Sequence, residues 1–256
     1  MKIGLTLSGG GARGAMHLGV IQALHEIGIR PQVLSGSSAG ALVAAFYAEG
    51  YSPAEILRIA GELGIGLFNP FHMSLLGEGL MDMDGFARTI RTHIPHNSFE
   101  GLGVPLYVTA TDIVRHELLY YHSGPLAPIL LATACVPVIF RTQVVDGRYL
   151  HDGGILNNLP TEILLPECDL LIGSHCNSID TTLSQVSGKN QLIDRAYHMA
   201  IDAGIQARLA TCHIQIQPAA MTRFGMFDVR RIEEIYRAGY DHTMGLRAEI
   251  EARVKG

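Results

Sequence analysis

Near its start the chain sets a serine between two glycines, at the point where an apolar segment gives way to an alanine-rich one. Leu34-Ser35-Gly36-Ser37-Ser38-Ala39-Gly40 runs directly into Ala41-Leu42-Val43-Ala44-Ala45-Phe46. The pattern reads as a strand, a sharp turn and a helix. Glycines at 36 and 40 allow a cramped turn that a Cβ would obstruct. Such an elbow lifts the Ser38 hydroxyl clear of its own backbone. It also sets the hydroxyl at a helix N-terminus, where the helix dipole favours developing negative charge. Taken alone, G-x-S-x-G has two readings: a turn that caps a helix, or a nucleophile on its elbow.

The flanking sequence supplies the frame. Lys2 to Leu7 reads as a buried strand and Ser8 to Gly14 as a glycine-rich loop. Ala15 to Ile27 reads as a helix with Leu18, Ile21, Leu24 and Ile27 on one face and Gly28 as its stop. Gln32 to Ser35 is a second strand, and the elbow helix runs from Ser38 to Glu49. Ser52-Pro53-Ala54-Glu55 is a capping box that starts another helix. Strand, glycine loop, helix, strand, elbow and helix in that order predict a parallel sheet covered by helices.

Further on, strands are expected over Leu106–Asp112, Glu117–His122, Gln143–Val145, Arg148–Leu150, Asp169–Ser174 and His213–Gln217, with Asp146-Gly147 as a hairpin turn. Helices are expected over Asp84–Ile94, Leu126–Ala134, Asp194–Ala210 and, as one long amphipathic helix, Val229–Lys255. Residues 66–82 are apolar among glycines without a period. They read either as an irregular loop packed on the core or as a flap beside an apolar substrate. Residues 177–190 are polar and read as a surface loop. No linker divides the chain, so a single domain over 1–256 is expected. The final helix can pack on that domain or on a partner, which leaves the oligomeric state open.

The chain is 48% hydrophobic and 17% charged, a composition that supports a buried core. A net charge of −5 without a basic block argues against nucleic acid as a partner. The long uncharged run 123–140 is interrupted by Pro125, Pro128 and Pro137, which argues against a membrane span. Cys135, Cys168, Cys176 and Cys212 have neither a C-x-x-C nor a zinc spacing. With no signal-peptide pattern at the first residues, they are expected to be reduced thiols in a cytoplasmic protein.

Two further clusters carry chemistry. Gly9-x-Gly11-x-x-Gly14 sits where a dinucleotide fingerprint would sit, but the end of the next strand, Leu34-Ser35-Gly36-Ser37, lacks the carboxylate that fingerprint needs. A P-loop lysine is also absent. What remains is a row of backbone N–H groups at a helix start, suited to an oxyanion. Asp152 ends a strand and precedes Gly153 and Gly154, so another backbone can approach it closely. A free aspartate, with a pKa of about 3.9, is a poor base at neutral pH. Burial would raise that value and make Asp152 a proton acceptor; the alternative is a simple Asp-Gly-Gly turn. None of the 12 histidines stands out as a base.

Together, Ser8-Gly9-Gly10-Gly11-Ala12-Arg13-Gly14, Gly36-Ser37-Ser38-Ala39-Gly40 and Asp152-Gly153-Gly154-Ile155-Leu156-Asn157-Asn158-Leu159-Pro160 resemble the patatin-like phospholipase family over roughly residues 3–175. The resemblance extends to Pro105–Asp112, to Ala132–Pro137 and to the Asp146-Gly147-Arg148 hairpin. It implies a three-layer α/β/α sandwich around a mostly parallel sheet, and a Ser-Asp dyad without histidine. Matched position by position, Ser38 is the nucleophile and Asp152 the base. Gly9, Gly10 and Gly11 supply the oxyanion hole, and Arg13 holds the loop's basic position. Gly14, Gly36, Gly40, Gly153 and Gly154 complete the motifs. The implied activity is hydrolysis of fatty-acyl esters of lipids or small esters, without metal or cofactor and with peripheral membrane contact. A catalytically silent or nucleotide-binding module is the competing expectation. Thr133 and Val138 depart from the family pattern, which more often has serine and glycine there.

Overall fold

A computed structural model describes residues 1–67, 83–178, 185–202 and 204–255. In chain order its elements are β1 (Ile3–Leu7), α1 (Ala15–Ile27), β2 (Val33–Gly36), α2 (Ser38–Glu49), α3 (Pro53–Leu67), α4 (Asp84–His93), β3 (Leu106–Asp112) and β4 (Glu117–Tyr121). They continue with α5 (Leu126–Thr133), β5 (Gln143–Val145), β6 (Arg148–Asp152), α6 (Gly154–Asn157), β7 (Leu170–Ser174), α7 (Gly188–Asp202), α8 (Ile205–Leu209), β8 (Ile214–Ile216), α9 (Ile232–Gly245) and α10 (Arg247–Lys255). The strands form one sheet, parallel across β3-β2-β1-β7-β8, with β4, β6 and β5 added antiparallel.

Alternation along the strands feeds both faces of the sheet. Leu34, Leu170 and Ile172 enter the main core with α1, α2 and α5, whereas Val33 and Leu171 pack with Leu159, Ile205 and Leu209 on the opposite face. Helical layers thus cover both sides, giving the three-layer α/β/α sandwich with its mostly parallel sheet. α9 lies directly against α1. A Cβ on Gly239 would collide with the Met16 carbonyl, and one on Gly19 with the Tyr236 carbonyl, so these glycines set how closely the two helices approach.

The register around β3 explains how distant residues come together. Val108 pairs with Gly36 and with Tyr121, while Ala110 pairs with Leu119 and with Asp152. β4 therefore occupies one edge of β3. β2 and β6 share the other, β2 along its first half and β6, running the opposite way, along its second. The C-terminal ends of β2 and β6 consequently meet head to head.

Four predicted spans differ from the structure or fall partly outside the described residues. The helix expected over Asp194–Ala210 starts earlier, at Gly188, and is divided in two before α8, where Gly204 adopts φ +87°. The single helix expected from Val229 to Lys255 is a short 3₁₀ turn over Val229–Arg231 followed by α9 and α10, which part at Gly245-Leu246, beside a poor helix former. The segment 66–82, expected as an irregular loop or a flap, begins as the end of α3, and 68–82 lie outside the described residues. Of the polar loop at 177–190, residues 188–190 belong to α7 and 179–184 lie outside the described residues. Among the described residues no helix is long and apolar enough to cross a membrane.

Candidate active site

Ser38 opens α2 in the left-handed region, at φ +50°, a conformation a non-glycine residue keeps only when its surroundings impose it. The neighbouring glycines are required sterically. A Cβ on Gly36 would lie 2.7 Å from the Ala41 nitrogen, and one on Gly40 would lie 2.6 Å from the Ser8 carbonyl oxygen. The elbow is thus pressed onto the end of β1.

Across the sheet, Asp152 closes β6. The Ser38 hydroxyl donates to Asp152 Oδ2 at 2.7 Å, across 114 positions of sequence. The other carboxylate oxygen accepts the Gly154 N–H at 2.7 Å. Gly153 lies against the Thr109 backbone, where a Cβ would collide. Both Ser38 and Asp152 are buried, at 6% and 1% exposure. Burial pushes the Asp152 carboxyl up to about 6, even though the bonds from Ser38 and Gly154 favour its charged form. The buried Tyr197 hydroxyl from α7 faces the same carboxylate and also favours the charged form, although it sits outside hydrogen-bond geometry.

The glycine loop faces the elbow. Its first member does not supply a free donor: the Gly9 N–H is already given to Asn158, to Oδ1 at 3.0 Å and to the carbonyl at 3.3 Å. The Gly9 carbonyl in turn accepts from the side chains of Asn158 and Asn177. Among the described residues the N–H groups of Gly10 and Gly11 have no acceptor. Gly9, one of the three expected oxyanion donors, thus has its N–H engaged within the protein, while those of Gly10 and Gly11 are open. Gly10 has no room for a side chain, since a Cβ would lie 2.6 Å from Cys176 Sγ. Gly11 takes φ +59° with the Met226 carbonyl against it, and Gly14 lets the start of α1 abut Ala39.

Arg13 is turned inward. It is 7% exposed; its Nε donates to the Phe224 carbonyl at 2.6 Å and its Nη1 to His198 Nε2. With the Ala12 N–H bonded to the Met226 carbonyl at 2.9 Å, the loop is tied to α7 and to segment 224–226. The family resemblance ends near residue 175, and the last 80 residues carry no motif of it. Asn158 stood inside a quoted motif, but no pattern in the sequence pointed to Asn177, Met226, Tyr197 or His198. They reach the site only through folding.

A cavity of about 210 Å³ opens beside Ser38 and Gly11. Leu18, Val43, Phe46, Ile59 and Ile90 line it, with Phe140 and Met226 among its other walls. Val138, the departure that follows Pro137, is 78% exposed and adopts φ +70°. Glycine takes that conformation without strain, which accounts for its frequency there in the family pattern. All four cysteines are unpaired thiols.

A family model for patatin-like phospholipases matches residues 5–165, more than half of the chain. An uncharacterised NTE family protein of Mycobacterium bovis is 34% identical over 163 residues, covering 62% of this chain and 44% of the relative. A lysophospholipase of Coccidioides immitis is 25% identical over 271 residues, covering 93% of this chain and 17% of the relative. The chain therefore spans less than half the length of these curated relatives. Among solved structures, VipD from Legionella pneumophila superposes with a TM-score of 0.55 at 19% identity, covering 97% of this chain and 67% of that one. That likeness concerns the fold. The profile match spans the glycine loop, the elbow and the Asp-Gly-Gly turn in one frame, and the chain belongs to the patatin-like phospholipase family.

Proposed function

We propose that residues 1–256 form a single catalytic domain, a serine acyl hydrolase that cleaves fatty-acyl esters of lipids through Ser38 and Asp152. The observation that carries this reading is the 2.7 Å contact between the Ser38 hydroxyl and a buried carboxylate, at the edge of an apolar cavity. Asp152 takes the hydroxyl proton as Ser38 Oγ attacks the ester carbonyl. The N–H groups of Gly10 and Gly11 and the N-terminus of α2 meet the oxyanion's charge. Collapse of the tetrahedral adduct expels the alcohol, which takes the proton back from Asp152, and leaves an acyl-serine. Water then attacks, with Asp152 again as base, and the fatty acid is released.

The cavity's walls are apolar side chains, which suits an acyl chain. The relative named lysophospholipase points to substrates with one such chain. Lysophospholipids met at a lipid surface are thus the preferred substrates. Hydrolysis of lysophosphatidylcholine against its diacyl counterpart tests this preference, and faster turnover of the diacyl lipid would reverse it. Since amides and a helix end meet the oxyanion's charge, activity is expected to persist in EDTA. Loss in the chelator with recovery on adding calcium would replace this mechanism.

The inward course of Arg13 favours a loop-holding role over headgroup contact. Arg13→Ala is expected to slow phospholipid and neutral-ester hydrolysis by the same factor, about tenfold. A loss confined to phospholipids would assign Arg13 to the headgroup instead.

A further inference from the structure

Residues 132–137 carry none of the chemistry assigned above, yet they touch both Ser38 and Asp152. The buried Ser38 N–H donates to Thr133 Oγ1 at 2.8 Å. Two residues on, the Cys135 carbonyl accepts the Asp152 N–H at 3.0 Å. With the Ser38–Asp152 bond, these contacts close a ring through three separate stretches of chain. Thr133 is fully buried and ends α5, whose Leu126, Ile129 and Leu130 are set in the main core. The turn is therefore anchored independently of the two residues it holds.

We propose, resting on the Ser38–Asp152 reading, that this turn is a brace and that Thr133 is a positioning residue for the nucleophile. Ser38 occupies a backbone conformation that its own side chain disfavours. Among the described residues, Thr133 Oγ1 is the acceptor its N–H has. Remove that acceptor and a buried donor is orphaned. The peptide ahead of Ser38 then relieves the loss by rotating, and the hydroxyl turns with it, away from Asp152. The same bond has a second consequence. Because it occupies the Ser38 N–H, that amide is not open to the oxyanion.

Thr133→Ser removes the methyl and keeps the hydroxyl, Thr133→Ala removes both, so the pair differs by the acceptor oxygen. The serine variant is expected to keep kcat within about threefold of the starting protein, and the alanine variant to lose about tenfold to hundredfold, the cost of small misplacements of reacting groups. KM for a short-chain nitrophenyl ester should stay nearly constant, because Thr133 does not line the cavity. Labelling of Ser38 by a fluorophosphonate should slow in step with kcat. Equal kcat in the serine and alanine variants, or a change confined to KM, overturns the proposal. Should the alanine variant fail to fold, Thr133→Val fills the same space without an acceptor and carries the same expectation. In the unmodified protein, rapid hydrogen exchange at the Ser38 amide would also overturn it. Ser38→Ala in the same assay separates the two readings. Turnover that survives Ser38→Ala removes the dyad itself; a dead Ser38→Ala beside a fully active Thr133→Ala removes only the brace.

Discussion

Ser38→Ala and Asp152→Asn are each expected to lower turnover of a short-chain nitrophenyl ester by about 10⁴-fold or more, the scale seen when one member of a nucleophile–base unit is removed. Alanine has no oxygen to acylate. Asparagine keeps the outline of Asp152: its carbonyl oxygen can still accept the Gly154 N–H, and its amide can still meet the Ser38 oxygen. It cannot take the proton. Both variants should lose fluorophosphonate labelling. Their stabilities should diverge from their activities. Asp152 is a buried carboxylate whose charged form is penalised by burial. Neutralising it should hold or raise Tm at pH 8, while Ser38→Ala shifts Tm little. A variant that is inactive and also grossly unfolded would leave the loss unexplained by chemistry, so circular dichroism accompanies the rates. Near-normal turnover in either folded variant would contradict the assignment.

How much of this could be read beforehand depended on whether the cause was local. The elbow, the first two strands and their helices follow from glycine placement and apolar period within a few residues, and the element bounds reproduce them closely, α2 at Ser38–Glu49 included. The meeting of Ser38 with Asp152 has no local signal. It arises because β3 is long enough to carry β2 and β6 in succession along one edge. Only the resemblance made that pairing expected, and the register supplies the physical reason. Missed altogether were groups that act through backbone atoms. Met226 and Phe224 hold the glycine loop by their carbonyls, which any residue type could offer. That the Gly9 N–H is already engaged was also illegible, since it depends on where the Asn158 side chain arrives. The late helix errors have a simpler cause: an amphipathic pattern runs on through Gly204 and Gly245, although the backbone turns at the first and breaks the helix at the second.

The pH dependence should carry the mark of the buried base. With Asp152 raised to about 6, the form able to accept the Ser38 proton is lost below that pH. kcat/KM should then fall about tenfold per pH unit, to about a hundredfold below its plateau at pH 4. An aspartate near its ordinary value would give a flat profile down to about pH 4, so the two cases separate clearly. Stability follows a different course. A carboxyl whose folded pKa lies above its unfolded one favours the folded state at pH values below both, and that contribution disappears as pH rises through about 6. At pH 7 its ionisation costs roughly 3 kcal/mol. Burial works the other way on two histidines, pressing His17 down to about 4 and His175 to about 3. The unfolded chain binds protons at these sites first, so their contribution is lost as pH falls from about 6.5 towards those values. Acid unfolding could therefore imitate the loss of the base. Incubation at pH 4 followed by assay at pH 8 distinguishes them: full recovery, with an acid limb near 6, is the expected result. A limb that stays near 4 in protein that remains folded would show that burial does not raise the proton acceptor to about 6.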